Sequence, residues 1–157
     1  SRSRSVTLTT VLGSCVSTCM SDPEFGIGGM NHFLLPSGSQ DGPAGIRYGL
    51  LSMELLINGL LKLGARKEKI QAKLFGGAAM NKNLPKIGES NSQFALKFLE
   101  DEGICCVSKS LGGVRARKIQ FIPSTGEARQ KFVLDYGDKF DNKPTRKMTK
   151  GGDVELF

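Results

Sequence analysis

The chain has a single histidine, no tryptophan and only two tyrosines in 157 residues. Aromatics are sparse, and neither an RNP-like motif nor zinc-finger spacing occurs. Nucleic acid is therefore not the expected partner, despite a formal charge of +7 from 22 basic and 15 acidic side chains. A basic surface speeds encounter with acidic partners, and without further signals it reads as a solvated face. No run of 18 apolar residues is present, so no helix is expected to span a membrane. Apolar residues make up 39% and charged residues 24%, which argues against wholesale disorder. A chain of this length buries a core without covalent staples.

Cysteine is scarce too: Cys15, Cys19, Cys105 and Cys106. An even count suggests disulfides only in a secreted chain. Arg2 and Arg4 ahead of Val6–Leu12, then Gly13-Ser14-Cys15, imitate a lipoprotein leader. The apolar stretch is too short for that, and Thr7, Thr9 and Thr10 interrupt it. Reduced thiols and a cytoplasmic location are the expectation. Residue 1 is not Met, which reads as a trimmed natural N-terminus.

Glycine, by contrast, is abundant at 20 residues and punctuates the chain. Val6–Leu12 and Val16–Met20 read as strands separated by Gly13-Ser14. Gly26-Ile27-Gly28-Gly29 reads as a turn, Met30–Leu35 as a further apolar stretch ending at Pro36, and Ser37–Gly45 as loop. Ile46–Leu63 is the clearest helix, with Glu54, Asn58 and Lys62 as its polar stripe and Gly64 as its stop. Being apolar on most of its circumference, it is expected to be largely buried. Asn91–Glu102 is a second helix capped by Asn91, with Phe94, Ala95, Phe98 and Leu99 facing the core. Ile70–Phe75, Ile104–Ser108, Arg117–Pro123 and Lys131–Asp135 are further strands, with turns at Gly112-Gly113 and Ser124–Gly126. The pattern predicts an α/β layered sandwich of mixed sheets with two main helices, in a single domain over 1–135. Residues 136–157 read as a basic, mobile C-terminal tail. Its tip, Val154–Phe157, is taken as a frayed terminus, with a docking peptide as the alternative.

The scarce residues also point to the chemistry. His32 is the only imidazole, and Cys15 follows a Gly-Ser break at a strand end, where a sulfur can reach a cleft. A neighbouring imidazole activates a thiol, a third group orients that base, and the amides at Ser14-Cys15 could hold an oxyanion. Thr7, Thr9 and Thr10 on the preceding strand offer such a third group. Spacing alone leaves two other readings open: buried cysteines that merely pack, and a zinc site drawn from Cys15, Cys19, His32 and one of Cys105 or Cys106. Adjacent strand residues face opposite ways, so Cys105 and Cys106 cannot chelate together.

The ordered strings Thr9-Thr10-Val11-Leu12-Gly13-Ser14-Cys15-Val16 and Gly28-Gly29-Met30-Asn31-His32-Phe33-Leu34-Leu35-Pro36 resemble the CheD family of chemoreceptor glutamine deamidases. So do Arg47-Tyr48-Gly49, Ala72-Lys73-Leu74-Phe75-Gly76-Gly77-Ala78, Ile87-Gly88 with Asn91, and Gly112-Gly113 through Arg117-Lys118-Ile119. The likeness runs from about Val6 to Asp135. The resemblance implies a fold and active site similar to toxin-type deamidases, with Cys15 as nucleophile, His32 as base and Thr9 as third member. It implies conversion of selected Gln side chains of methyl-accepting chemotaxis receptors to Glu, releasing ammonia through a thioester, with no metal or cofactor. It also implies binding of the phosphatase CheC. A non-catalytic module that sequesters CheC or a receptor helix is the alternative. Two features depart from the family pattern: only Ser1–Ser5 precede the first strand, and Ser110 stands where many members carry an acidic residue.

Overall fold

The structure is a computed structural model that describes residues 1–35, 42–80, 86–133 and 154–157. It contains strands β1 (Leu8–Leu12), β2 (Val16–Asp22), β3 (Ile27–Met30), β4 (Gln71–Gly76), β5 (Cys105–Leu111), β6 (Arg117–Ile122), β7 (Glu127–Phe132) and β8 (Val154–Leu156). Helix α1 is Gly42–Lys62 and α2 is Lys86–Asp101, with a 3-10 turn at Lys67–Lys69. One sheet runs β1-β6-β7-β8 and is antiparallel throughout. The other runs β3-β2-β4-β5 and is mixed, since β4 and β5 are parallel. The expected α/β layered sandwich is what the chain forms.

Two apolar clusters define the layers. Val16 and Met20 of β2, Ile27 of β3 and Ala72 and Leu74 of β4 meet Met53, Ile57 and Leu60 of α1 and Ala95, Phe98 and Leu99 of α2. Cys19 of β2 and Phe75 of β4 meet Leu12, Ile119, Phe121 and Ala128 of the first sheet. The mixed sheet is therefore the middle layer, with both helices on one face and the antiparallel sheet on the other. This explains why every residue of β2 is buried: a strand covered on both faces has no solvent side. Two of its polar side chains find partners inside. Ser17 Oγ donates to Asn31 O at 2.6 Å, and Thr18 Oγ1 contacts Met53 Sδ at 3.3 Å.

Several expectations need correction. Ile27–Met30 is a strand and not a turn; its glycines serve close packing, because a Cβ on Gly28 would collide with the Pro123 backbone. Helix α1 touches the sheet on one side only, so Ile46, Tyr48, Leu51 and Leu55 are exposed where burial was expected. Helix α2 begins at Lys86, so Asn91 lies inside it, fully buried, and is not its cap. The strand expected at Lys131–Asp135 is Glu127–Phe132, with Asp135 outside the described residues. The inward-facing Gln130 breaks the apolar alternation there and hides the strand's start. The stretch Tyr136–Gly152, expected to be a mobile tail, and most of the Ser37–Gly45 loop also lie outside the described residues.

The tip Val154–Phe157 is not frayed. It adds β8 to β7, and Phe157 exchanges backbone bonds with Ala128 at 2.7 and 3.0 Å. The Phe157 ring meets Phe75 edge-on at 5.3 Å, and Lys73 Nζ donates to Phe157 O at 2.8 Å. An aromatic ring filling the inter-sheet edge outweighs the entropy of fixing a short terminal segment.

Asp22 closes the far end of β2. Its Oδ1 accepts from the N–H of Glu24 at 3.0 Å and of Phe25 at 3.2 Å, and its Oδ2 accepts from Arg66 N–H at 2.9 Å. Burial pushes the carboxyl up, but those three N–H groups and the Arg66 charge outweigh it and hold Asp22 below the ordinary carboxylate range. Asp22→Ala is expected to cost about 2–3 kcal/mol, read by urea unfolding at neutral pH, since charge-assisted bonds are worth about 1.5–3 kcal/mol and three N–H groups lose their acceptor together. Because the folded carboxyl is the stronger acid, its contribution is present above the unfolded value of about 3.9 and is lost as pH falls through the lower folded value. The gap between variant and wild type should therefore close in acid.

Candidate active site

Gly13–Cys15 is the corner at which the chain leaves the first sheet and enters the second. A backbone that changes sheets there has no ladder, so its carbonyls need donors from elsewhere. Each finds one. Ala78 N–H donates to Gly13 O at 2.8 Å, Asn91 Nδ2 to Ser14 O at 2.9 Å, and Gly77 N–H to Cys15 O at 2.8 Å. The Gly76-Gly77 pair permits this approach. Both have positive φ, and a Cβ on Gly76 would collide with the Cys15 carbonyl oxygen. Among the described residues, no backbone carbonyl accepts from the N–H of Ser14 or Cys15.

A second tier holds the Gly76–Ala79 segment. Gly112 N–H donates to Gly76 O at 2.9 Å and Ala79 N–H to Gly113 O at 2.8 Å. That turn is held by the buried Arg117, whose guanidinium donates to Ser110 O at 2.5 Å, to Ser110 Oγ at 3.0 Å and to Gly112 O. Ser110, where the sequence departs from the family pattern, thus serves as a neutral acceptor for a buried cation.

His32 follows β3 and is fixed through its neighbours. Asn31 N–H donates to Thr18 O at 3.1 Å, Thr18 N–H to Asn31 Oδ1 at 2.8 Å, and Val16 and Phe33 exchange bonds at 3.0 and 2.9 Å. The antiparallel Val16–Phe33 bridge sets Cys15 opposite Leu34 and Ser17 opposite His32. Val16 and Phe33 point into the helix-side core. Cys15 packs against the inter-sheet cluster and His32 reaches Thr10 of the first sheet, so both face the side turned away from the helices. The sole imidazole and the thiol of Cys15 lie on the same side of the sheet.

The ring's partner is Thr10 and not Thr9. Thr10 Oγ1 lies 2.9 Å from His32 Nδ1. In β1, Leu8, Thr10 and Leu12 face inward while Thr9, paired with Gln120, is exposed on the outer face. One residue along a strand reverses the side chain's direction, so the Thr9 hydroxyl does not face the ring.

Desolvation disfavours the charged form of both the thiol and the imidazole. Burial pushes the half-buried Cys15 thiol up, partly opposed by its own backbone N–H. Desolvation holds the His32 imidazole below its ordinary value. Cys19 is sealed between the sheets and is pushed up to about 12 by burial, which makes it inert. Cys105 lies on the edge strand β5, remote from that interior, and among the described residues no three His, Cys, Asp or Glu side chains converge as a metal site. The zinc grouping is not assembled.

A cavity of about 600 Å³ lies between α2 and β5, bounded by Gly77, Ser92, Leu96, Lys109 and Gly112. Neither Cys15 nor His32 lines it. The pair instead sits at the surface beside exposed Leu34, with exposed Met80 packed against Gly13. Such a site suits a side chain presented by a macromolecule better than a small molecule enclosed in a pocket. No helix among the described residues is long and apolar enough to cross a membrane.

This is a three-layer α/β protein with a thiol–imidazole pair at an inter-sheet corner. A family model described as CheD chemotactic sensory transduction matches residues 34–132. The chain is 50% identical over 159 aligned residues to a probable chemoreceptor glutamine deamidase CheD of Caulobacter vibrioides, covering 97% of this chain and 84% of that one. It is 51% identical over 149 residues to a protein of the same name from Cereibacter sphaeroides, covering 94% and 75%. A third, from Agrobacterium fabrum, is 55% identical over 126 residues, covering 80% and 70%. The chain belongs to the CheD family. The family model's match begins after Cys15 and His32, so the geometry described above carries the argument for those two residues.

The contact between Thr10 and His32 is open to a direct check. Thr10→Val should move the His32 Nδ1 resonance in nitrogen-15 NMR, while Thr9→Val should leave it in place. The reverse pattern would restore Thr9.

Proposed function

We propose that this chain is a chemoreceptor glutamine deamidase in which Cys15 is the nucleophile, His32 the acid–base group and Thr10 the orienting hydroxyl. The observation that carries this reading is the shared face of Cys15 and His32 at a corner whose carbonyls are all engaged. Family membership and the names of the relatives supply the substrate class.

The reaction follows from these groups. With Nδ1–H donated to Thr10 Oγ1, Nε2 keeps a lone pair and takes the Cys15 proton as the sulfur attacks the carboxamide carbon of a receptor Gln. The carbonyl π electrons move to oxygen, and the N–H groups of Ser14 and Cys15 receive the negative charge. Collapse of this intermediate breaks the C–N bond. The imidazolium gives its proton to the leaving nitrogen, and ammonia departs from a thioester. Water, deprotonated by the now neutral His32, adds to the thioester. The second collapse breaks the C–S bond, leaves Glu and returns the proton to Cys15. The net change is amide plus water to acid plus ammonia, with the enzyme regenerated. A positive net charge favours encounter with acidic receptor helices and adds speed more than affinity.

Cys15→Ala should lower kcat by more than about a thousandfold while the fold survives, because removing a nucleophile disables the whole catalytic unit. The readouts are ammonia release and the small mass gain of each converted Gln in receptor fragments. Unchanged activity ends the proposal, and fragments that bind wild type without gaining mass indicate a binding module.

The pH dependence follows from the two shifts. His32 must be neutral to accept the thiol proton, and its pKa lies below the ordinary 6.5. The Cys15 thiol lies above its ordinary 9.0. On this basis kcat/KM should fall only on the acid side of pH 6.5 and stay level from there to pH 9.0. An acid limb centred above 6.5 would contradict the His32 assignment.

A further inference from the structure

We infer that Asn91 is a positioning residue: its side-chain amide ties the segment carrying the nucleophile to the segment carrying the base. The inference rests on the roles proposed for Cys15 and His32.

Asn91 is fully buried in the second turn of α2. Asn is a poor residue inside a helix, because its side chain competes for backbone partners, and its buried amide is costly unless both ends are bonded. Here both ends are. Nδ2 donates to Ser14 O at 2.9 Å, and Oδ1 accepts from Leu35 N–H at 2.8 Å. Ser14 immediately precedes the nucleophile, and Leu35 follows His32 by three residues. The two segments also meet at the Val16–Phe33 bridge. A closed ring results, from Ser14 through Cys15 and Val16, across the bridge to Phe33, through Leu34 to Leu35, and back through Asn91. Cys15 lies in that ring, and His32 adjoins it at Phe33.

The chemistry of the side chain is selective. The ring needs a donor toward a carbonyl and an acceptor toward an N–H at the same reach. A carboxylate offers only acceptors, and an aliphatic side chain offers neither. Without Asn91 the Ser14 peptide is free to rotate, and the N–H groups proposed to hold the oxyanion rotate with it. The substrate's own contacts are untouched. The loss should therefore fall on the chemical step and leave binding intact.

Asn91→Asp keeps the size and removes the donor. At neutral pH its kcat should fall by about 100-fold, the scale of a misplaced catalytic group, with KM within about twofold. Protonating the new carboxyl restores a donor to Ser14 O, so the ratio of variant to wild-type kcat should rise as pH is lowered. An unchanged kcat, or a ratio independent of pH, overturns the inference. A second measurement uses the wild-type chain and holds even if the variant does not fold: alkylating Cys15 with iodoacetamide should shift the Asn91 side-chain resonances in nitrogen-15 NMR. Resonances that stay in place overturn it. If wild-type protein leaves receptor Gln unconverted, the deamidase reading falls by itself, and the NMR response still decides the place of Asn91.

Discussion

Three successive carbonyls at the inter-sheet corner must be satisfied without a ladder, and much of the site follows from that constraint. Their donors come from two places, the Gly77-Ala78 segment after β4 and the interior of α2, and the turn held by Arg117 supports the first of these from one tier back. A buried backbone carbonyl without a partner costs about 1–3 kcal/mol, and at this half-buried corner a part of that would be lost for each bond left unmade. Spending every carbonyl inward also fixes the opposite edge of the same peptides. The Ser14 and Cys15 N–H groups are turned away from the donors that hold the loop. Under the proposed reaction, that is the direction from which a substrate carbonyl arrives.

The same constraint explains why the glycines of this region are not interchangeable with those elsewhere. Gly76 and Gly77 bring backbone against backbone in a conformation that L side chains rarely adopt. Arg117 is a more unusual support. A buried guanidinium bonded mainly to carbonyls and a serine hydroxyl gives up hydration without gaining a close carboxylate. Burial accordingly holds it below its ordinary value. What it returns is geometry: its planar fork spans the two ends of a tight turn that a single neutral donor could not bridge.

The sequence already revealed the layered α/β class, both helices, and the cores of β2, β4 and β6, because apolar period and glycine stops are local signals. Cys15 and His32 stood out through scarcity and through the Gly-Ser break. What stayed hidden was hidden for physical reasons. Gly28 and Gly29 look like a turn until the Pro123 backbone packed on Gly28 and the Leu56 side chain packed on Gly29 are seen. β8 is a short tip whose stability comes from Phe75, about 80 positions away in the chain. Asn91 reads as a cap because local rules place Asn at helix starts, and its two partners lie 56 and 77 residues distant. The choice between Thr9 and Thr10 turns on which face of β1 looks inward. Only the packing of Leu8 and Leu12 fixes that face, and nothing in the threonines themselves does.

The desolvation of the pair bears on how such a site could select its substrate. A preformed thiolate at the surface would react with any electrophile and with oxidants. Here burial disfavours the thiolate and desolvation disfavours the imidazolium, so separating their charges in the free protein is uphill. A docking helix removes more water and by itself steepens that climb. Two features work in the other direction. With Nδ1–H donated to it, as the proposed reaction has it, Thr10 Oγ1 interacts more strongly with the imidazolium than with neutral His32. Under the proposed reaction, the N–H groups of Ser14 and Cys15 interact more strongly with an oxyanion than with a planar amide oxygen. Under the proposed reaction both gains arrive only as charge develops on a correctly seated Gln, so the reaction coordinate and the selectivity share one source: stabilisation that is withheld until the substrate is in place.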